Sequence, residues 1–291
     1  MRPIHIALAA MVAAIWGFNF VVIKVGLQSF PPILLTSLRF AVAALAVFFL
    51  PRPALSWPQL ITIAVPLFVG QYIFLFSGMT LGMPPGLASV LAQVQAFFTM
   101  LVAFFVLRER PGPRQLGGAL IAVAGLALIA STVGGDVTLA GFVLTMLAAA
   151  SWGTGNVMLK QAGQVDMLAL VVWLSLIPPI PVLALSLILD GPSVVWAALS
   201  HASWLGIGAV LYLAGPSTII AFGVWGFLLK TYRAGIVAPF SLLVPVFGIA
   251  SAVALYGETF DFIRVFGVTL IVAGVAFIAL PWPLLGKLRS E

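Results

Sequence analysis

The chain has 291 residues, 63% of them hydrophobic and 7% charged, with a mean hydropathy of +1.24 and a formal charge of +6. A soluble domain carries about 25% charged residues, so a water-facing surface is excluded and the chain has to live in a bilayer. Cysteine is absent, which rules out disulfides and thiolate metal sites. The basic balance reads as loops on the cytoplasmic side of a membrane and not as a nucleic-acid surface, because no basic cluster is interleaved with polar positions.

About 20 apolar residues cross a bilayer as a helix. Cutting at charges, Pro/Gly pairs and polar breaks predicts ten spans, at 4–26, 32–50, 58–80, 85–107, 114–132, 138–160, 167–189, 203–229, 235–256 and 263–284. The start, MRPIHIALAAMVAAIWGF, has a basic head and an ALAA that mimics a signal-peptidase site. Its apolar run outlasts an h-region, so the first span is expected to stay uncleaved. The only long connector covers 190–202.

With the N-terminus inside, Arg2, Arg52, Arg108, Arg110, Arg114, Lys160, Lys230, Arg233, Lys287 and Arg289 fall on the cytoplasmic side. Lys24, Arg39 and Arg264 fall on the other. Ten against three fits the positive-inside rule and puts both termini in the cytoplasm of a bacterial-type inner membrane.

The chain is also duplicated. WGFNFVVIK at 16–24 recurs as WGTGNVMLK at 152–160, and the 45 residues from Gly86 align without gaps to those from Gly235. That register matches Glu109 with Glu258, Gly118 with Gly267 and Gly125 with Gly274. Two five-helix halves follow, 1–134 and 135–291. Five is odd, so the second half enters the membrane upside down, as in transporters that alternate about a midplane site. The expected fold is therefore all-α, ten spans in two inverted repeats.

Ten spans, the paired WG…K motif and an acid closing the fourth and ninth spans resemble the drug/metabolite transporter superfamily, EamA type, and within it the YddG group of amino-acid exporters. The resemblance covers nearly the whole chain and is specific for superfamily and fold. It implies a carrier of small molecules in a lipid bilayer; the working unit is expected to be a monomer, and no cofactor is expected.

Ionisable groups within a span are functional candidates. All seven acids lie at span ends, in loops or at the terminus, so the carrier is expected to move neutral or zwitterionic solutes down their gradient. Small multidrug exporters of the superfamily carry a glutamate in the first helix, where this chain has only Asn19. Coupling through groups nearer the surface is the competing expectation. Lys24 and Lys160 lie at opposite faces. They are expected either to pair across the halves as gates, Lys24 with Glu258 outside and Lys160 with Glu109 inside, or to snorkel to headgroups. Arg39 either attracts a substrate carboxylate or reaches the outer interface, and the interface is the preferred reading.

Neutral polar groups are the preferred site material: Trp16, Asn19, Gln71, Tyr72, Gln93, Trp152, Asn156, Trp173 and Tyr212. Amides and phenols hydrogen-bond ammonium and carboxylate groups without a fixed charge, and indoles add apolar walls. The alternative is interhelical glue. Gln95 is expected to face away from Gln93, being about 200° around an α-helix from it. Pro66, Pro216, Pro239 and Pro245 mark helices that bend or border a cavity. The glycine pairs at 118/125 and 267/274 are expected to bring the fifth and tenth spans together. The expected function is export of amino acids, aromatic and other neutral ones, against an alternative exporter of apolar drugs or other metabolites. An enzyme is disfavoured because no Ser–His–Asp or metal-ligand spacing occurs.

Overall fold

The computed structural model describes residues 1–279 apart from Gln164 and Arg233. Lys287, Arg289, Glu291 and the last turn of the tenth expected span lie outside the described residues. Nine helices among the described residues are long and apolar enough to cross a membrane. They are Pro3–Gly26, Pro32–Phe49, Trp57–Thr80, Pro85–Val106, Pro113–Ala130, Leu139–Gln161, Met167–Leu189, Trp204–Thr231 and Ala238–Tyr256. A tenth apolar helix, Phe262–Ala279, follows. No strand occurs among the described residues, so this is an all-helical, multi-pass membrane protein. The long connector is itself helical over Pro192–Ser200.

Local chemistry explains the helix starts. Pro3, Pro32, Pro85 and Pro113 each open a span, where the missing N–H costs nothing and φ is already helical. The hydroxyls of Thr138 and Ser203 and the carboxylate of Asp166 accept the orphan N–H groups of Gly141, Gly206 and Ala169. Below, the near face is the one where Pro3 starts the first span; the far face is where Gly26 ends it.

The fifth and tenth spans pack antiparallel. A Cβ at Gly118 would stand 2.7 Å from the Gly274 carbonyl oxygen, and one at Gly125 would stand 2.6 Å from that of Gly267. Bare backbone is the condition for this approach, and the expected glycine groove is present.

Two further crossings match each other. Gly17 of the first span meets Phe247 and Gly248 of the ninth, and Gly153 of the sixth meets Phe98 and Thr99 of the fourth. In the repeat register Phe98 corresponds to Phe247 and Thr99 to Gly248.

Five spans are irregular at mid-depth, the seventh through a break in its helix between Leu174 and Pro179. The third widens into a π-turn over Val65–Gly70 and the eighth over Gly215–Ile220, each with a proline as its second residue. The fourth and ninth tighten into 3₁₀ turns over Ala92–Val94 and Ala238–Leu243. Neighbouring helices satisfy the disturbed backbone: Ser151 donates to the Pro66 carbonyl at 2.7 Å, and Trp16 Nε1 donates to that of Ser217 at 3.1 Å. Irregular backbone at membrane depth is tolerated where it borders a cavity.

Candidate functional site

The irregular turns surround a cavity of about 300 Å³, at the lower end of the size that holds a small molecule. Five amides face it: Asn19, Gln71, Gln93, Gln95 and Asn156. Aromatic walls come from Trp16, Trp152, Trp225, Phe68, Tyr72 and Phe222. Among the described residues, none of the lining side chains is charged.

The lining begins near mid-depth and runs to Leu159, Met167 and Trp225, toward the near-face ends of their helices. On the far side, Ile23, Leu34, Leu35, Phe76, Met79 and Met83 are completely buried and close the bundle. The cavity therefore reaches toward the near face and is sealed from the far one.

Of the nine neutral residues singled out from the sequence, seven line this cavity: Trp16, Asn19, Gln71, Tyr72, Gln93, Trp152 and Asn156. The structure places the other two outside its lining. Trp173 sits near the near-face rim against Trp57, its Nε1 donating to the Leu50 carbonyl at 3.3 Å. Tyr212 turns away from the cavity, gives its hydroxyl proton to the Ile15 carbonyl at 2.9 Å and packs on Phe18. Both polar groups are spent on backbone.

Gln95 corrects the expected direction, because it lines the cavity together with Gln93. The 3₁₀ turn over Ala92–Val94 advances about 120° per residue in place of about 100°, which brings the two amides nearer to one face. Trp225 and Phe222 were also missed, although their i, i+3 spacing on the eighth span was a visible signal. Phe222 packs edge-on and Trp225 tilted against Trp16, with ring centroids 5.1 and 5.4 Å away respectively.

The two asparagines differ. Asn156 donates to Gln95 Oε1 at 2.6 Å and to Thr99 Oγ1 at 3.1 Å. In the other half the positions matching Gln95 and Thr99 are Val244 and Gly248, which offer no side-chain partner. Asn19 is buried and its Oδ1 has no hydrogen-bond partner.

Arg39 requires a second correction. It does not reach the interface but is 1% exposed. Its guanidinium lies 4.1 Å from the centroid of the Tyr72 ring, and its Nη2 donates to Thr218 Oγ1 at 3.0 Å and to Ser217 Oγ at 3.4 Å. Nη1 is buried without a partner.

Among the remaining charges, Lys160 pairs with Glu109 at 2.6 Å, with side chains 60% and 48% exposed. This pair lies at the near face and ties the segment that follows the fourth span to the end of the sixth. The Lys24–Glu258 ion pair is not formed. Glu258 instead accepts the backbone N–H of Gly86, with Lys24 near enough to favour the charged carboxylate but not in contact. Burial nevertheless pushes the Glu258 carboxyl above its ordinary value. Asp166, beside Lys230 at 2.5 Å, is held below its ordinary value by the Ala169 N–H and by that lysine.

The EamA-like transporter family matches residues 3–131 and again 139–280. A protein of Salmonella typhimurium named "Probable amino-acid metabolite efflux pump" is 44% identical over 92% of each chain. Its namesake in Escherichia coli K12 is 42% identical over the same share. The "Uncharacterized inner membrane transporter YedA" of E. coli is 25% identical over 96% of this chain and 92% of its own. A solved crystal structure, 22% identical and covering all of both chains, superposes with a TM-score of 0.66 and supports the fold.

Proposed function

We propose that this chain, which belongs to the EamA-like transporter family, is an inner-membrane exporter of zwitterionic amino acids, aromatic and other neutral ones. The observation that carries this reading is the cavity wall: five amides and three indoles, with no charged side chain among the described residues. Amides satisfy an ammonium and a carboxylate together without preferring either charge, and the rings accept an apolar or aromatic side chain. An exporter of purely apolar drugs would leave those amides unsatisfied when loaded, at a cost of about 1–3 kcal/mol for each orphaned group.

Transport runs by alternating access between two inverted five-helix repeats. The twofold match of the family along the chain and the paired crossings at Gly17 and Gly153 support this. The paired π- and 3₁₀-turns supply bends in equivalent places. With both termini in the cytoplasm the near face is cytoplasmic, and the cavity takes its cargo from inside. Charged residues at the two ends of the bundle act as gates: Glu258 on Gly86 beside Lys24 at the far face, and Glu109 with Lys160 at the near face. Transport is facilitative, since among the described residues no carboxylate lines the cavity to carry a proton or a sodium ion. A single chain encloses the whole cavity, so the monomer is the working unit.

Expression in a bacterial strain sensitive to toxic amino-acid analogues tests the reading. The protein should raise tolerance to neutral and aromatic analogues and leave sensitivity to apolar cationic drugs unchanged. Drug tolerance without analogue tolerance would replace it with the drug-export alternative.

A further inference from the structure

Arg39 is a completely buried cation with no carboxylate paired to it: the ion pairs among the described residues are Lys160–Glu109, Lys230–Asp166 and Arg264–Asp136. Its contacts are neutral, to the hydroxyls of Ser217 and Thr218 and the face of Tyr72. A glutamine could make such hydrogen bonds without the penalty of a buried charge. Retaining a guanidinium here makes sense if an anion visits it.

The place such an anion would come from is adjacent. Ser217 and Tyr72, which touch Arg39, also line the cavity, so the guanidinium stands one side-chain layer behind the wall. Its Nη1, the unpartnered end, keeps N–H donors for a carboxylate fork. The matching position in the second half is Ser175, whose hydroxyl is spent on the Val171 carbonyl. The site thus holds one cation and suits one carboxylate.

Asn19 Oδ1 and Arg39 Nη1 are the two buried side-chain polar atoms without a partner among the described residues. One is an acceptor suited to an ammonium and the other a cationic donor suited to a carboxylate. We propose that Arg39 is the carboxylate anchor of the transport site, reached when the Tyr72 ring and Ser217 side chain move aside, with Asn19 taking the substrate's ammonium. The proposal rests on the amino-acid reading above and sharpens it: a free carboxylate is required, and the amide of the same amino acid is rejected.

The test is transport of L-phenylalanine and L-phenylalaninamide at pH 6 into liposomes holding the full-length protein, with 3-phenylpropionate and 3-phenylpropanamide as competitors. Wild-type protein should move the acid at least about tenfold faster than the amide, the scale of one charge-assisted hydrogen bond. Phenylpropionate should inhibit and its amide should not. Arg39→Gln should lose phenylalanine transport and the preference with it, and Arg39→Lys should keep part of both. Equal handling of acid and amide by the wild type overturns the proposal, and so does a preference that survives Arg39→Gln. Should Arg39→Gln fail to fold, the wild-type competition pair still decides. If the wild type moves no neutral amino acid, the transport reading falls as well; if it moves them without needing the carboxylate, only the anchor does.

Discussion

The backbone N–H of Gly86 lies 3.1 Å from each carboxylate oxygen of Glu258, so the end of the ninth span caps the start of the fourth at the sealed far face. These residues stand 172 positions apart and belong to opposite halves of the chain. A hydrogen bond to a charged group contributes about 1.5–3 kcal/mol. Glu258→Ala should therefore let the far face open about tenfold more often or better. A cysteine replacing the fully buried Met83 in this cysteine-free chain reports the change as faster reaction with a thiol reagent. Unaltered reactivity would show that the cap does not hold the face shut.

Asn19 and Asn156 should separate stability from transport. Asn156→Ala breaks bonds to Gln95 and Thr99 and should cost about 1–2 kcal/mol, seen as a lower melting midpoint in detergent. Asn19→Ala removes an atom that has no partner and should leave that midpoint unchanged or raised while transport falls. Equal destabilisation by both would contradict the reading of Asn19 as a group held in reserve for the substrate.

The Lys160–Glu109 pair is about half exposed at both ends, and exposed pairs contribute about 0–1 kcal/mol. Lys160→Ala should barely move the melting midpoint. As a gate it would still favour one access state, so cysteine labelling along the sixth span should shift toward the near face. Labelling identical to the parent would leave the lysine as an anchor in the headgroups.

Acid should weaken the protein through its loop carboxylates. Asp136 is held below its ordinary value of 3.8 by hydrogen bonds from Arg264, and Asp166 by the Ala169 N–H and Lys230. Depressed carboxylates stabilise above the unfolded pKa and lose that contribution as pH falls through the folded one. Glu258, raised by burial above 4.5, works in the opposite sense: its contribution is present below that value and is lost as pH rises through the raised one. The melting midpoint should fall below about pH 4, and Asp136→Asn should flatten that limb. Glu258→Gln should flatten the slope above it. An acid limb unaffected by Asp136→Asn would remove the Arg264 pair from the account.

Hydropathy located the spans to within a few residues, because a bilayer leaves a helix no alternative to a long apolar run. The repeat register brought Lys160 and Glu109 to one face before any coordinates, since equal spacing in two halves is visible as text. Rotation about the helix axis was less legible. Gln95 came to the cavity through a 3₁₀ turn that α-helical angles do not anticipate. Trp173 and Tyr212 gave their polar atoms to backbone carbonyls far away in sequence. Arg39 has a side chain long enough to snorkel outward from its depth or to lie inward, and only the packing of Ser217, Thr218 and Tyr72 around it decides between the two. The π-turns at Pro66 and Pro216 were marked by their prolines as irregular, but not as wide.

The central claim is facilitated passage of neutral amino acids through the amide-lined cavity, and counterflow measures it most directly. Liposomes carrying the purified protein and loaded with unlabelled phenylalanine are diluted into a trace of labelled phenylalanine, with no pH or sodium gradient. The label should accumulate transiently above its outside concentration, to the same extent when a pH step is imposed, and Trp152→Ala or Gln93→Ala should abolish it. Accumulation that appears only with the pH step would contradict the account, as would counterflow that survives both cavity substitutions.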